Sequence, residues 1–279
     1  MTTTLRPAGP EQPLPNGGRS RLWQVCANGR PVGAVRTSAD PVGHGFSGRI
    51  EGLEITDGRR RGRGTVAVLA AEELLRGWGC HRAEVAVPVE APAALALARV
   101  LGYAETNRKL RKELGQPPAL APGLTLRPIG PVEFPDWLAE AKAEYRAQLV
   151  RSGLTPQQAH DKCEADHTHL LTEGPATPGV LLRQLLHGGT PVGSVWVALR
   201  DSLLPGGRPL AWVMTVQVAA AHRGLGHGRE LMLAAERACL DAGVRDLGLN
   251  VYSDNRIASS LYESLGYRVT SRVLAKPLL

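Results

Sequence analysis

Apolar positions along the second half of the chain alternate between a spacing of two and a spacing of three to four, and those changes of spacing mark out its elements. A short strand is predicted at "LRPI" from Leu126, after which Trp137, Ala141, Tyr145 and Leu149 fall at helical intervals. The "SGLTP" break ends that helix, and a second begins at Pro156 with Thr155 as its N-cap. Strands follow at "GVLLRQLL", "PVGSVWVAL" and "LAWVMTVQV". A glycine-rich loop then opens a helix from Gly228 to about Ala242, in which Leu231, Ala234, Ala235, Ala238 and Cys239 share the face that packs on a sheet. "DLGLNVYS" reads as a strand, "NRIASSLYESLG" as a helix closed by Gly266, and "YRVTSRVLAK" as a final strand.

The same order is written twice. Gly102 in "LALARVLGYAE" and Gly266 in "SSLYESLGYRV" lie 164 residues apart, and that offset also superposes Arg59 on Arg223, Gly62 on Gly226 and Gly64 on Gly228. Upstream, "RPVGAV" from Arg30 matches "TPVGSV" from Thr190 at an offset of 160, and "LRP" at Leu5 matches "LRP" at Leu126 at 121. The offset grows by 39 residues between "LRP" and "PVG", which is where the second copy carries its two helices and the first has none. A unit this long is a duplicated domain rather than a solenoid repeat. The expected layout is an α/β (α+β) chain: a first domain over 1–114, a Pro- and Gly-rich connector over 115–125, and a second domain over 126–279.

Composition narrows the classes. The 279 residues carry a formal net charge of +7, which favours an anionic partner. Basic residues interleaved with stacking aromatics are missing, since the two phenylalanines are Phe46 and Phe134, so a nucleic-acid module is disfavoured. The four cysteines form no C-x-x-C pair, so the sequence suggests neither a metal site nor a disulfide framework. The N-terminal segment lacks an apolar signal core and no apolar run reaches the ~18 residues of a membrane span, so a cytoplasmic protein without membrane contact is expected.

The glycine loop "AHRGLGHGRE" is the candidate for chemistry. A strand that runs into a glycine-rich turn at the start of a helix presents unpaired N–H groups to an anion, and the helix dipole favours negative charge there. The order of glycines does not fit a dinucleotide fingerprint, and the Gly-Lys-Ser/Thr of a phosphate-binding P-loop is missing.

With "VQVAAAHRGLGHGRELMLAAE" and "LGLNVYSDNRIASSLYESLGYRV" on the page, the chain resembles the GNAT superfamily of N-acetyltransferases over Leu126–Leu279, and Leu5–Leu114 looks like a degenerate member. The resemblance implies two tandem GNAT-like domains, each a mixed sheet splayed between its fourth and fifth strands, with acetyl-CoA or another acyl-CoA in the cleft. It implies that the loop of Arg223, Gly224, Leu225, Gly226, His227, Gly228 and Arg229 holds the pyrophosphate, and that main chain around Val216, Gln217 and Val218 pairs with the pantetheine arm. Asn255 would hydrogen-bond that arm, and Tyr262 would be the general acid at the thioester sulfur. Arg59, Gly62 and Gly64 would form the matching loop of the first copy. The tandem layout is similar to that of mycothiol synthases, although no motif points to that substrate.

Two departures from the family pattern bear on function. Gln217 stands where a carboxylate base is common and an amide cannot take a proton, so the base is His222, Asp254, Glu144 or Tyr145, or the acceptor amine is already partly neutral, with Glu144, Tyr145 and Gln217 lining the acceptor side. In the first copy Ala98 replaces Tyr262 and Ala91 replaces Asn255, which argues against acyl transfer there and for a structural role. The leading expectation is N-acylation of a primary amine of a small molecule by direct attack in a ternary complex. The alternatives are a donor carried by an acyl carrier protein or aminoacyl-tRNA, and a non-enzymatic acyl-CoA sensor or scaffold. A monomer or homodimer is expected, since duplication supplies internally the pairing that single-domain relatives reach by dimerising.

Overall fold

The computed structural model describes residues 2–43, 45–57, 62–204 and 206–278, with backbone alone for 200–202. The chain divides into two compact units, Met1–Asn107 with Ser271–Leu279, and Arg108–Thr270.

The first unit runs β1 (Thr3–Pro7), β2 (Gln12–Pro13), β3 (Arg19–Ala27), β4 (Arg30–Val42), β5 (Gly45–Ile55), α1 (Arg63–Gly77), β6 (Cys80–Pro88), α2 (Pro92–Val100) and the start of β7 (Ala104–Glu113). Its strands lie in the order β1-β3-β4-β5-β6, with β2 on the outer edge of β3. All neighbours are antiparallel except β5 and β6, which α1 connects in parallel. The register of that parallel pair runs from Phe46↔Cys80 to Ile50↔Val85 and stops there, so the two strands part beyond Ile50.

The second unit repeats the plan with β8 (Leu124–Pro128), α3 (Phe134–Arg151), α4 (Pro156–Leu170), β9 (Val180–His187), β10 (Thr190–Leu203), β11 (Pro209–Val218), α5 (His227–Asp241), β12 (Asp246–Tyr252), α6 (Arg256–Ser264) and β13 (Arg268–Pro277). Strand order is β8-β9-β10-β11-β12-β7. The first four strands are antiparallel, and α5 links β11 to β12 in parallel. Pairing of β11 with β12 covers only Leu210↔Asp246 to Val213↔Leu249, and beyond it the strands diverge into a V. The mixed, splayed sheet that the resemblance implies is therefore present in both units.

Local sequence explains the helices that position the site. Thr155 and Gln158 form a capping box at the start of α4, and Trp137, Ala141 and Leu149 are the buried face of α3. Leu231, Met232, Ala235 and Cys239 of α5 bury against Val195, Val213 and Leu249 of the sheet, while Trp137 and Ala141 of α3 pack with Trp196 and Leu182 on its other face. Close approach of β10 to β11 requires glycine at 193, where a Cβ would lie 2.4 Å from the carbonyl oxygen of Gln217. Gly33 of the matching "PVG" has the same role, 2.0 Å from the oxygen of Glu54.

The last strand of each copy is exchanged. Residues 271–277 of β13 pair antiparallel with β6, Ser271↔Pro88 to Pro277↔Arg82, within the first unit. Leu274 and Leu278 lie in that unit's core. Leu110, within β7, and Leu114, just beyond its end, lie in the core of the second unit, where the Leu114 N–H donates to the carbonyl of Arg245 at 2.7 Å. Each exchanged strand also brings a lysine to a buried carboxylate: Lys276 reaches Glu72 at 2.8 and 3.0 Å, and Lys112 reaches Glu236 at 2.8 Å from both oxygens.

Candidate active site

Gly224 and Gly226 both have φ in the left-handed region, +79° and +85°, so the chain can turn sharply from the end of β11 into α5. Gly226 is the N-cap of α5 and has no side chain to cap the helix. Its carbonyl accepts from Arg229 and Glu230, whereas the N–H groups of residues 224–228 have no protein acceptor among the described residues. Beta-carbons at 224 and 226 would meet open space, and one at Gly228 would touch Leu261 at 3.4 Å. The loop is thus an exposed cradle of unspent donors, the arrangement an oxygen-rich anion requires.

Side chains around the loop are committed elsewhere. The Arg223 Nε donates to the carbonyl of Val218 at 3.3 Å, and Arg229 donates to the Ser264 hydroxyl at 2.7 Å, tying α5 to α6. The His227 ring is buried, edge-on to His187 at 5.5 Å and to His222 at 6.1 Å, so only its main chain faces the cradle. Burial, helped by those two rings, lowers the His227 pKa.

Thr215–Val218 of β11 pair with β10 on one edge and, among the described residues, with no strand on the edge that faces the V. Tyr262 of α6 is 8% exposed and lies in the core beside Tyr267. Burial, and then the charge of Glu144, push its pKa up to about 12, so the phenol holds its proton throughout the neutral range. Asn255 is the N-cap of α6, where its carboxamide oxygen accepts from Ala258 N–H at 3.0 Å and its nitrogen stays available to donate.

Of the other predicted side chains, Tyr145 donates to Asp166 at 2.6 Å and Asp254 is ion-paired with Arg151 at 3.4 Å, while His222 belongs to the loop cluster. Among the four candidate bases, Glu144 is the one whose charge acts on Tyr262. Gln217 lines a groove of about 610 Å³ with Asp136, Glu140, Gln184, Ser194 and Arg223. Glu133, also on the groove, is forked by Arg127, which draws its pKa down to about 2. Asp136 and Glu140 make no ion pair among the described residues. Sequence reasoning missed these two. Their signal was the i, i+4, i+8 row of Asp136, Glu140 and Glu144 beside the apolar face of α3.

In the first unit Gly62 is the N-cap of α1 with φ +72°, and a Cβ at Gly64 would touch Leu97 at 3.4 Å, as Gly228 does Leu261. Arg59 lies outside the described residues. Ala98 is buried where Tyr262 stands in the second unit, and Ala91 is an N-cap with no side-chain bond.

The family model described as Acetyltransferase (GNAT) family matches the chain twice, over residues 5–103 and 139–267. The chain belongs to the GNAT acetyltransferase family. It is an acyltransferase with its GNAT units in tandem. An uncharacterized N-acetyltransferase of Bacillus subtilis is 27% identical over 157 residues, 56% of this chain and 99% of the relative. A mycothiol acetyltransferase of Thermomonospora curvata is 28% identical over 254 residues, 90% of this chain and 80% of its own. Among solved structures, a GCN5-related N-acetyltransferase from Sphaerobacter thermophilus aligns with a TM-score of 0.60 at 21% identity, covering 92% of this GNAT chain and 80% of that one. A tandem GNAT protein from the clavulanic acid biosynthesis pathway aligns at 0.52 and 20% identity over 95% and 85%. Both show the fold. Among the described residues, no helix is long and apolar enough to cross a membrane.

Proposed function

We propose that the second unit transfers an acyl group, acetyl in the first instance, from acyl-CoA to a primary amine of a small molecule by direct attack in a ternary complex. The observation that carries the reading is the cradle of free N–H groups at Gly224–Gly228 that follows the unpaired edge of β11, together with the buried Tyr262 phenol on which the charge of Glu144 acts. CoA supplies the acyl carbon as an activated thioester. The cradle of Gly224–Gly228 fits its diphosphate, the open edge at Val216 and Val218 suits the amide-bearing pantetheine arm, and the Asn255 nitrogen is placed to donate to that arm.

In this reading Glu144 receives the proton of the attacking nitrogen and Tyr262 donates one to the departing sulfur. The two are coupled, because the Glu144 charge is one of the causes that raise the Tyr262 pKa. Protonating Glu144 removes that charge and makes the phenol a better acid at the moment the thiolate develops. An N–H of β11 near Val218 polarises the carbonyl. The unpaired carboxylates Asp136 and Glu140 on the groove favour an acceptor that arrives as a cation, which releases one proton to solvent before the neutral nitrogen attacks and passes its next to Glu144. Loss of tyrosine at 98 and asparagine at 91 supports assigning turnover to the second unit and a structural role to the first.

Tyr262→Phe and Glu144→Gln, assayed on a panel of primary amines with acetyl-CoA, are each expected to lower kcat about 100-fold or more, in the range of acid–base groups. Calorimetry should show acetyl-CoA affinity nearly unchanged. Wild-type kcat in either variant would remove that residue from its role.

A further inference from the structure

Pairing of β11 with β12 ends at Val213↔Leu249, and the next residue on β12 is Asn250. Its carboxamide oxygen is shielded from solvent and has no hydrogen-bond partner. The amide nitrogen makes no bond to protein among the described residues either. Buried polar groups in folded proteins are nearly always paired, because leaving one unmade forfeits its hydration with nothing in return. A carboxamide orphaned at the point where two strands part is thus waiting for a group that the protein does not supply.

The face on which it waits is fixed by strand alternation. Leu247, Leu249 and Val251 bury in the core with α5 and α6. Gly248, Asn250 and Tyr252 therefore face the other way. The ring of Trp212 covers Gly248, where a Cβ would come within 2.5 Å, and Tyr252 acts electrostatically on Tyr145 of α3. Asn250 accordingly shares the α3 side of the sheet with Ser194 and Gln217, which are paired across β10 and β11 and line the groove.

We infer that Asn250 holds the attacking nitrogen of the acceptor: its carboxamide oxygen accepts an N–H of the amine and so turns the nitrogen lone pair toward the thioester. The inference rests on the amine-acylation reading above and adds the residue that recognises the nucleophile. An amine suits the position because it brings a donor to an acceptor that lacks one. Nothing covalent involves Asn250, and no proton is transferred to it.

Asn250→Leu keeps the side-chain size and removes the orphaned oxygen, and Asn250→Asp keeps an acceptor atom in place. The two are compared with the wild type using acetyl-CoA and primary amines from n-butylamine to 1,4-diaminobutane and tyramine. Asn250→Leu is expected to raise the acceptor KM about tenfold, the loss of one hydrogen bond (a tenfold change is ~1.4 kcal/mol). Acetyl-CoA Kd should stay unchanged and the thermal midpoint should hold or rise, because the unpaired group is gone. Asn250→Asp should retain acceptor binding. Calorimetric titration of the same amines into CoA-saturated protein gives the comparison without turnover, so absence of wild-type transfer would overturn the acylation reading while leaving this one to be judged by binding. An unchanged acceptor KM and affinity in Asn250→Leu overturns the inference. So does a tenfold weaker acetyl-CoA Kd, which would assign the carboxamide to the donor's arm.

Discussion

Lys276→Met tests the exchanged strand most directly. The Lys276 Nζ lies 2.8 and 3.0 Å from the two oxygens of Glu72 and 5.7 Å from the centre of the Tyr103 ring. Glu72 is 1% exposed, so water cannot replace the lysine when it goes. Methionine keeps most of the aliphatic stem but strands the carboxylate, and breaking one side of a buried pair costs about 3–5 kcal/mol. Replacing both partners by apolar residues, Glu72→Leu with Lys276→Met, is expected to recover most of that loss, because the isolated charge is then gone as well. Peptide-resolved hydrogen exchange locates the effect: protection should fall in β5, α1 and β6 and be retained in β9, β10 and β11. A loss below about 1 kcal/mol, or a loss confined to the second unit, would refute the reasoning that the chain's last strand is structural to the first unit.

Further tests address the anion cradle and the pH response. Gly226→Glu places a carboxylate at a left-handed position among the free N–H groups and should abolish calorimetric binding of acetyl-CoA, whereas Gly62→Glu should leave it intact; two sites, or loss at Gly62 alone, would overturn the assignment of the second unit as the working one. The His167 ring is 6% exposed and its Nδ1–H donates to the carbonyl of Cys163 at 2.8 Å, and burial lowers its pKa from 6.5. The unfolded chain therefore takes up that proton first as pH falls, so the stability His167 contributes is full above about 6.5 and drains away below it. Denaturant titrations between pH 7 and 5 should show a shallower decline in His167→Gln, and an unchanged slope would remove His167 as its cause.

The second unit's elements were legible because its signals are local. Helical spacing of Trp137, Ala141 and Leu149, the Thr155 cap and the glycines of the cradle each act within a turn or two of chain. The exchange of last strands was not legible, for a physical reason: Leu110, Lys112 and Leu114 recur 164 residues later as Leu274, Lys276 and Leu278. Either strand satisfies either core and either buried carboxylate, so the pattern specifies a partner surface without specifying which copy supplies it. Asn250 was hidden differently. Its meaning depends on where strand pairing stops, and an asparagine in "LGLNVYS" gives no sign that it stands one residue past that point. Tyr145 shows the converse, since its spacing places it on α3 but its hydroxyl is spent on Asp166.

The exchanged strands also set what mutation can erase. The first copy has alanines, Ala98 and Ala91, where the second has Tyr262 and Asn255. Its closing segment is another matter, because Leu110 and Leu114 are core residues of the second unit. Severing the chain at the connector would thus leave the second unit without part of its own core, and the borrowed strand is held in place by the packing of its neighbour as well as by its own half of the chain.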